Sequence, residues 1–323
     1  MVNCNPSIPY KPFEWGLLLI LLLSILIVTI SSIHNRATSF GGFYIKITYP
    51  IILALNIIIL SCGLIIVLKV PTFRFVLNII GSVIGAIGCY VALNEFFFLF
   101  NFKINTQQLS RKLRTVDLIS LFISSLVLTV YWSTGKSWIV SLIMSFSLII
   151  ASIKLFRIDS LMIGTVFLLS VILLETIGGL IIHYGFKVSY NNYVINQFNS
   201  PLFLQLPSIT PELLRKCAWL PVLSVIQPGL VISYLRRFDL SRSTWVYLFI
   251  GYISQYIGSV SWMLIDISTK HTIPLGLISE PLMLIFVLIF AYRRNENRTL
   301  WTGHFHDPDI YALEVSLVAN ERS

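Results

Sequence analysis

Nine stretches of this chain are apolar enough, over enough residues, to cross a lipid bilayer as helices, and no other feature limits its fold so strongly. A bilayer core offers no water to backbone polar groups, so only helices and closed barrels traverse it. About 17–25 apolar residues make one helical crossing. The stretches lie near 15–33, 49–68, 76–100, 117–134, 138–156, 161–183, 216–235, 244–267 and 273–292. With 56% hydrophobic and 11% charged residues, too little polar surface remains for a soluble domain. The expected fold class is an all-α polytopic membrane protein with nine transmembrane helices.

The first stretch follows a polar leader, residues 1–14, and exceeds the usual core of a signal peptide, so it is expected to be a retained first helix. "STGK" separates the fourth and fifth stretches, which makes them a tight helical hairpin. The expected organisation is a five-helix bundle over 15–156, a core of helices six to nine over 157–292, and a polar tail over 293–323.

A net charge of +9 in a soluble chain would suggest nucleic acid, but here the cations collect in connections between apolar runs. There they set topology and meet anionic headgroups, so the lipid bilayer, not nucleic acid, is the implied partner. If the C-terminus is cytosolic, 15 of the 23 Lys and Arg fall on that side, which favours a luminal N-terminus. Asn297-Arg298-Thr299 matches a glycosylation sequon but is then cytosolic, and is expected to be unmodified. Four cysteines show no metal-type spacing, and the His304, His306, Asp307 and Asp309 tail fixes no ligand geometry, so neither a metal nor a cofactor is implied.

Polar residues inside the spans mark candidate functional positions, because each needs a partner or a cavity. They are Glu95, Glu175, Ser224, Gln227, Asp266 and Glu280. Glu95 and Asp266 lie toward span ends and reach the interface, whereas Glu175 is deep in the sixth span. The seventh span carries Pro221, Ser224, Gln227, Pro228 and Gly229 before Arg236-Arg237, where it is expected to stop. The ninth opens with Pro274, Leu275 and Gly276 and repeats proline at Pro281, directly after Glu280. Two broken spans are expected, since proline removes a ladder donor.

These residues carry a family resemblance. "KSWIVSLIMSFSLIIASIKLFRIDSLMIGTVFLLSVILLET" resembles the fifth and sixth helices of the signal peptide peptidases, the presenilin-like intramembrane aspartyl proteases, and places their Tyr-Asp motif on Leu174-Glu175. "SVIQPGLVISYLRRFDLS" is similar to their Gly-x-Gly-Asp helix, which continues through Ile-Pro-Gly to Arg-Phe-Asp; anchored there, the catalytic aspartate falls on Ser224. "KHTIPLGLISEP" resembles the segment holding their Pro-Ala-Leu motif, which falls on Pro274-Leu275-Gly276. The resemblance covers roughly residues 100–300 and implies an endomembrane location, the endoplasmic reticulum foremost.

The implied chemistry is altered at both aspartates. In such a dyad two acids share a proton, one activating water while the other polarises the peptide carbonyl. Glu175 moves the carboxyl by one methylene, about 1.5 Å, and misplacement on that scale costs about a hundredfold in rate. Ser224 is neither acid nor base near neutral pH. The preferred expectation is a pseudoprotease that binds transmembrane segments or signal peptides of other membrane proteins, with Pro274, Leu275 and Gly276 as substrate-binding positions. The alternatives are a divergent protease using Glu175 with Glu280 as substitute acid, and a proton-coupled transporter or channel.

Overall fold

The computed structural model of the chain describes residues 23, 26–28, 43–45, 71–99, 115–134, 137–186, 201–207, 217–269 and 275–303. In chain order these form β1 (Phe43–Ile45), α1 (Pro71–Leu99), α2 (Thr115–Ser133), α3 (Trp138–Leu155), β2 (Phe156–Ile158) and α4 (Leu161–Phe186). Then follow β3 (Phe203–Pro207), β4 (Cys217–Pro221), α5 (Leu223–Ser241), α6 (Val246–Thr269), α7 (Gly276–Arg293) and α8 (Asn297–Thr302). The third to ninth expected spans each contain a helix, α1 to α7. Among the described residues, five of them are long and apolar enough to cross a membrane, within α1, α2, α3, α6 and α7. The chain is a multi-pass membrane protein. The first two expected spans lie outside the described residues, apart from helical Leu23 and Leu26 to Val28.

The chain divides into two compact units. One contains Leu64–Ser152 and Tyr190–Leu223, hence α1, α2, most of α3 and the β3–β4 pair. Its core is Cys89, Tyr131 and Met144, one residue from each helix. Glycine brings α1 against α3: a β-carbon on Gly88 would lie 2.8 Å from the Cα of Leu148. At the other end of α1, Asn94 accepts a hydrogen bond from Ser120 (2.6 Å) and donates one to Asp117 (3.2 Å), tying α1 to α2.

The β3–β4 pair corrects the expected seventh span. Cys217–Pro221 is a strand, paired antiparallel with Phe203–Pro207 in the register Leu204↔Leu220, and the Val222 N–H extends the ladder to the carbonyl of Leu202. A short apolar run fits strand and helix equally, and each strand here ends at a proline, which has no N–H to donate to a ladder. The helix begins only at Leu223 and runs through Arg236-Arg237 to Ser241. Both arginines are buried inside the fold, not spent on ending the helix.

The second unit contains Val28–Gly63, Ile153–Ser189 and Ser224–Ser323, hence β1 paired parallel with β2, and α4 to α8. Helix α5 is its inner element, buried at every residue from Gln227 to Asp239. A helix covered on all sides must lie at the centre of a bundle. Small residues set the approach of its neighbours: a β-carbon on Gly164 of α4 would lie 3.3 Å from Val231, and one on Gly251 of α6 would lie 2.9 Å from Leu235.

Residues 294–303 of the segment expected as a tail fold back on this unit. Asn295 takes a left-handed conformation that ends α7, and α8 follows. Tyr234 of α5 donates its hydroxyl to the carbonyl of Leu300 at 2.6 Å, and Tyr247 of α6 donates to Glu296 at 2.6 Å. Gly303 ends α8 at φ 74°, where a β-carbon would overlap the carbonyl oxygen of Asp159. Gly303→Ala is therefore expected to cost about 1–2 kcal/mol from the left-handed conformation and the lost seat. Thermal unfolding in lipid nanodiscs checks it.

Candidate functional site

The candidate residues lie in the second unit, on α4, α5 and α7. Ser224 is the second residue of α5 and is 4% exposed. One turn on, Gln227 is 1% exposed. Pro228 then supplies no N–H to the carbonyl four residues back, that of Ser224. The position that resembles the catalytic aspartate thus carries a buried hydroxyl in a turn whose ladder is interrupted by proline.

The far end of α5 fixes where this turn sits. Arg237 donates through Nη2 to the carbonyl of Ile158 at 2.6 Å, which ties α5 to the β2–α4 junction. Arg236 lays its guanidinium 3.4 Å over the centre of the Trp245 ring. Asp239, 0% exposed, accepts from the Thr244 hydroxyl at 2.6 Å and the Leu248 N–H at 2.7 Å, and also from the Tyr247 N–H at 3.2 Å. These two amides belong to the first turn of α6, whose N–H groups have no partner within their own helix. A carboxylate from the preceding helix therefore caps α6 across the turn.

Glu280 is 0% exposed, in the second turn of α7. Its carboxyl folds back along the helix: a β-carbon on Gly276 would meet Oε1 at 3.0 Å. Gly276 thus makes room for the acid one turn away. Helix α7 runs without interruption from Gly276 to Arg293 with Pro281 inside it, so the expected break does not fall between Gly276 and Pro281. A proline this near the start forfeits a single ladder bond, to Leu277, and the flanking turns hold. Presenting Glu280 from an unwound segment, as a substitute acid would need, is not what this helix does. Leu275 is 6% exposed and precedes the first turn. Pro274 lies outside the described residues, and Glu175 lies in α4 with its side chain outside them.

Helix α6 touches both α5 and α7 through glycines. Ile232 and Leu235 of α5 pack at Gly251 of α6, which follows α5 after the short turn between Ser241 and Val246. Gln227 lies about 7–12 Å up α5 from that contact, and Gly258 about 10 Å up α6 from it, at about 1.5 Å per residue. Gly258 in turn packs on Ser279 of α7: its β-carbon would lie 2.6 Å from the Ser279 Cα. Among the described residues no cluster of three or more His, Cys, Asp or Glu is placed to hold a metal ion.

Two residues that position this site escaped the sequence reading. Asp239 lies inside one helix and caps the next, whereas a capping signal is ordinarily sought immediately before the helix it caps. Gly258 left a readable trace, because Ser254 and Gly258 form a small-x-x-x-small pair of the kind that brings membrane helices together.

Comparison with known proteins finds similar sequences over much of the chain. The family pattern described as signal peptide peptidase matches residues 42–307, well over half of the chain. Signal peptide peptidase of Homo sapiens is 26% identical over 221 residues, 65% of this chain and 55% of that protein. The Mus musculus protein of the same name is 25% identical over 212 residues, 62% of this chain and 53% of its own length. Signal peptide peptidase-like 2A of Homo sapiens is 27% identical over 115 residues, 34% of this chain and 22% of that protein. The chain spans about half the length of the signal peptide peptidases it matches.

Proposed function

The chain belongs to the signal peptide peptidase family, and from that premise we propose that it is a binding scaffold that captures transmembrane segments or signal peptides of other membrane proteins and leaves them uncut. The observation that carries this reading is Ser224. In this reading, the resemblance anchored on Pro228-Gly229 and Arg237-Phe238-Asp239 aligns Ser224 with the catalytic aspartate, and Ser224 is a buried hydroxyl. A hydroxyl cannot share a proton with a second acid or hold charge near neutral pH, so the dyad has no second member on α5. At the other position Glu175 keeps a carboxyl on a longer arm.

The features that support capture are those that do not need the dyad. The segment Pro274-Leu275-Gly276 precedes and opens α7, and it is the docking position in this reading. The protein then sits in an endomembrane such as the endoplasmic reticulum, with its N-terminus luminal and its C-terminus cytosolic.

The test is incubation of a type II membrane-anchored peptide with the purified protein in lipid, comparing wild type with Glu175→Gln and Glu280→Gln. The peptide is expected to stay full-length with all three proteins and to remain bound to wild type. Cleavage by wild type that disappears in both variants would instead establish a relocated carboxyl dyad and overturn the scaffold reading.

A further inference from the structure

An amide that must find its partners inside the protein, and does not, is a costly thing to keep. Gln227 is 1% exposed, and its Nε2 has no hydrogen-bond partner among the described residues. Leaving one such donor unmatched costs about 1–3 kcal/mol, a cost that an apolar side chain of the same shape would not incur. The family motif that α5 resembles has isoleucine at this place, so the amide is an addition of this chain.

Its placement couples it to the proposed site. Ser224 and Gln227 are three residues apart and share one face of α5. On α6 and α7 the hydroxyls of Ser259 and Ser279 are turned into their own helices, to the carbonyls of Gln255 and Leu275. What Nε2 lacks is a hydrogen-bond acceptor, and the acceptors a peptide carries along its whole length are carbonyl oxygens.

We propose that Gln227 is a specificity-determining residue whose Nε2–H donates to a carbonyl oxygen of the captured segment, with the Ser224 hydroxyl one turn away on the same face. This rests on the scaffold reading. It adds that an amide, where the family motif has an aliphatic side chain, replaces the charge of the lost aspartate as the polar hold on the peptide. A neutral donor grips a carbonyl without activating water, so holding and cutting are separated in one helix.

Gln227→Met tests it, since methionine keeps the length and removes the donor. Two quantities are read in lipid nanodiscs: affinity for a fluorescent type II membrane-anchored peptide, and thermal unfolding without peptide. The variant is expected to bind about tenfold more weakly, the worth of one buried hydrogen bond, while unfolding at the same or a higher temperature than wild type. If wild type binds and the variant binds equally well, the assignment is overturned and the scaffold reading stands. A variant that unfolds at a clearly lower temperature without peptide also overturns it, because the amide then serves the fold. Wild type that binds no peptide contradicts the scaffold reading itself, and this assignment with it.

Discussion

Asp239→Ala is expected to lower the stability of the folded protein by about 3–5 kcal/mol, the range for removing one partner from a buried, hydrogen-bonded ionic group. The carboxylate accepts from the Thr244 hydroxyl and from the Tyr247 and Leu248 amides, all in the turn and first residues of α6. Alanine leaves those two helix-terminal donors without that acceptor at a place the carboxylate keeps dry. Asp239→Asn is expected to cost less, since its amide oxygen can still accept from Thr244 and Tyr247. Unfolding in mixed micelles, following tryptophan fluorescence, measures both. Equal stability of Asp239→Ala and wild type would show that the cap is not a structural determinant.

Gly258→Val is expected to cost about 3 kcal/mol or more, at the upper end for overpacking a well-filled contact. The β-carbon alone would lie 2.6 Å from the Cα of Ser279, 3.0 Å from its Cβ and 3.2 Å from its carbonyl oxygen. Two of these are backbone atoms of a helix and cannot swing aside as a side chain would. Helices α6 and α7 must move apart, and the displacement falls one residue from Glu280. Gly258→Ala is expected to give the same sign with a smaller loss. A measured cost below about 0.5 kcal/mol for valine, the range of a neutral surface change, would mean that the two helices pack less closely than described.

The sequence made the class of fold legible because bilayer thickness is a physical ruler: runs of the right length at 76–100, 117–134 and 138–156 each contain a helix. The same ruler misled at 216–235. Apolarity at Cys217 to Pro221 says only that the segment is buried, and the pairing with Phe203–Pro207 that makes it a strand lies outside any local window. Arg236-Arg237 read as the end of a helix because charge usually leaves a membrane. Here a carbonyl at Ile158 and the ring of Trp245 accommodate both side chains inside the fold, and the helix continues.

At the site, the polar residues themselves could be read from one chain, since Ser224, Gln227 and Glu280 stand out in apolar runs. Their relations could not. That Gly276 accommodates the Glu280 carboxyl follows a helical spacing and was accessible in principle, but an isolated glycine near two prolines reads first as a break. The contacts that set α6 against its neighbours, Gly251 with α5 and Gly258 with α7, are ones that only the folded chain supplies.

The central claim is that this chain holds a transmembrane peptide without cutting it. Its most direct test is to incubate the lipid-reconstituted protein with a type II membrane-anchored peptide, recover the complex by affinity capture, and determine the mass of the bound peptide. The account predicts that the peptide is recovered with wild type at its intact mass after prolonged incubation. Recovery of a shortened peptide that is not produced by Glu175→Gln would contradict it.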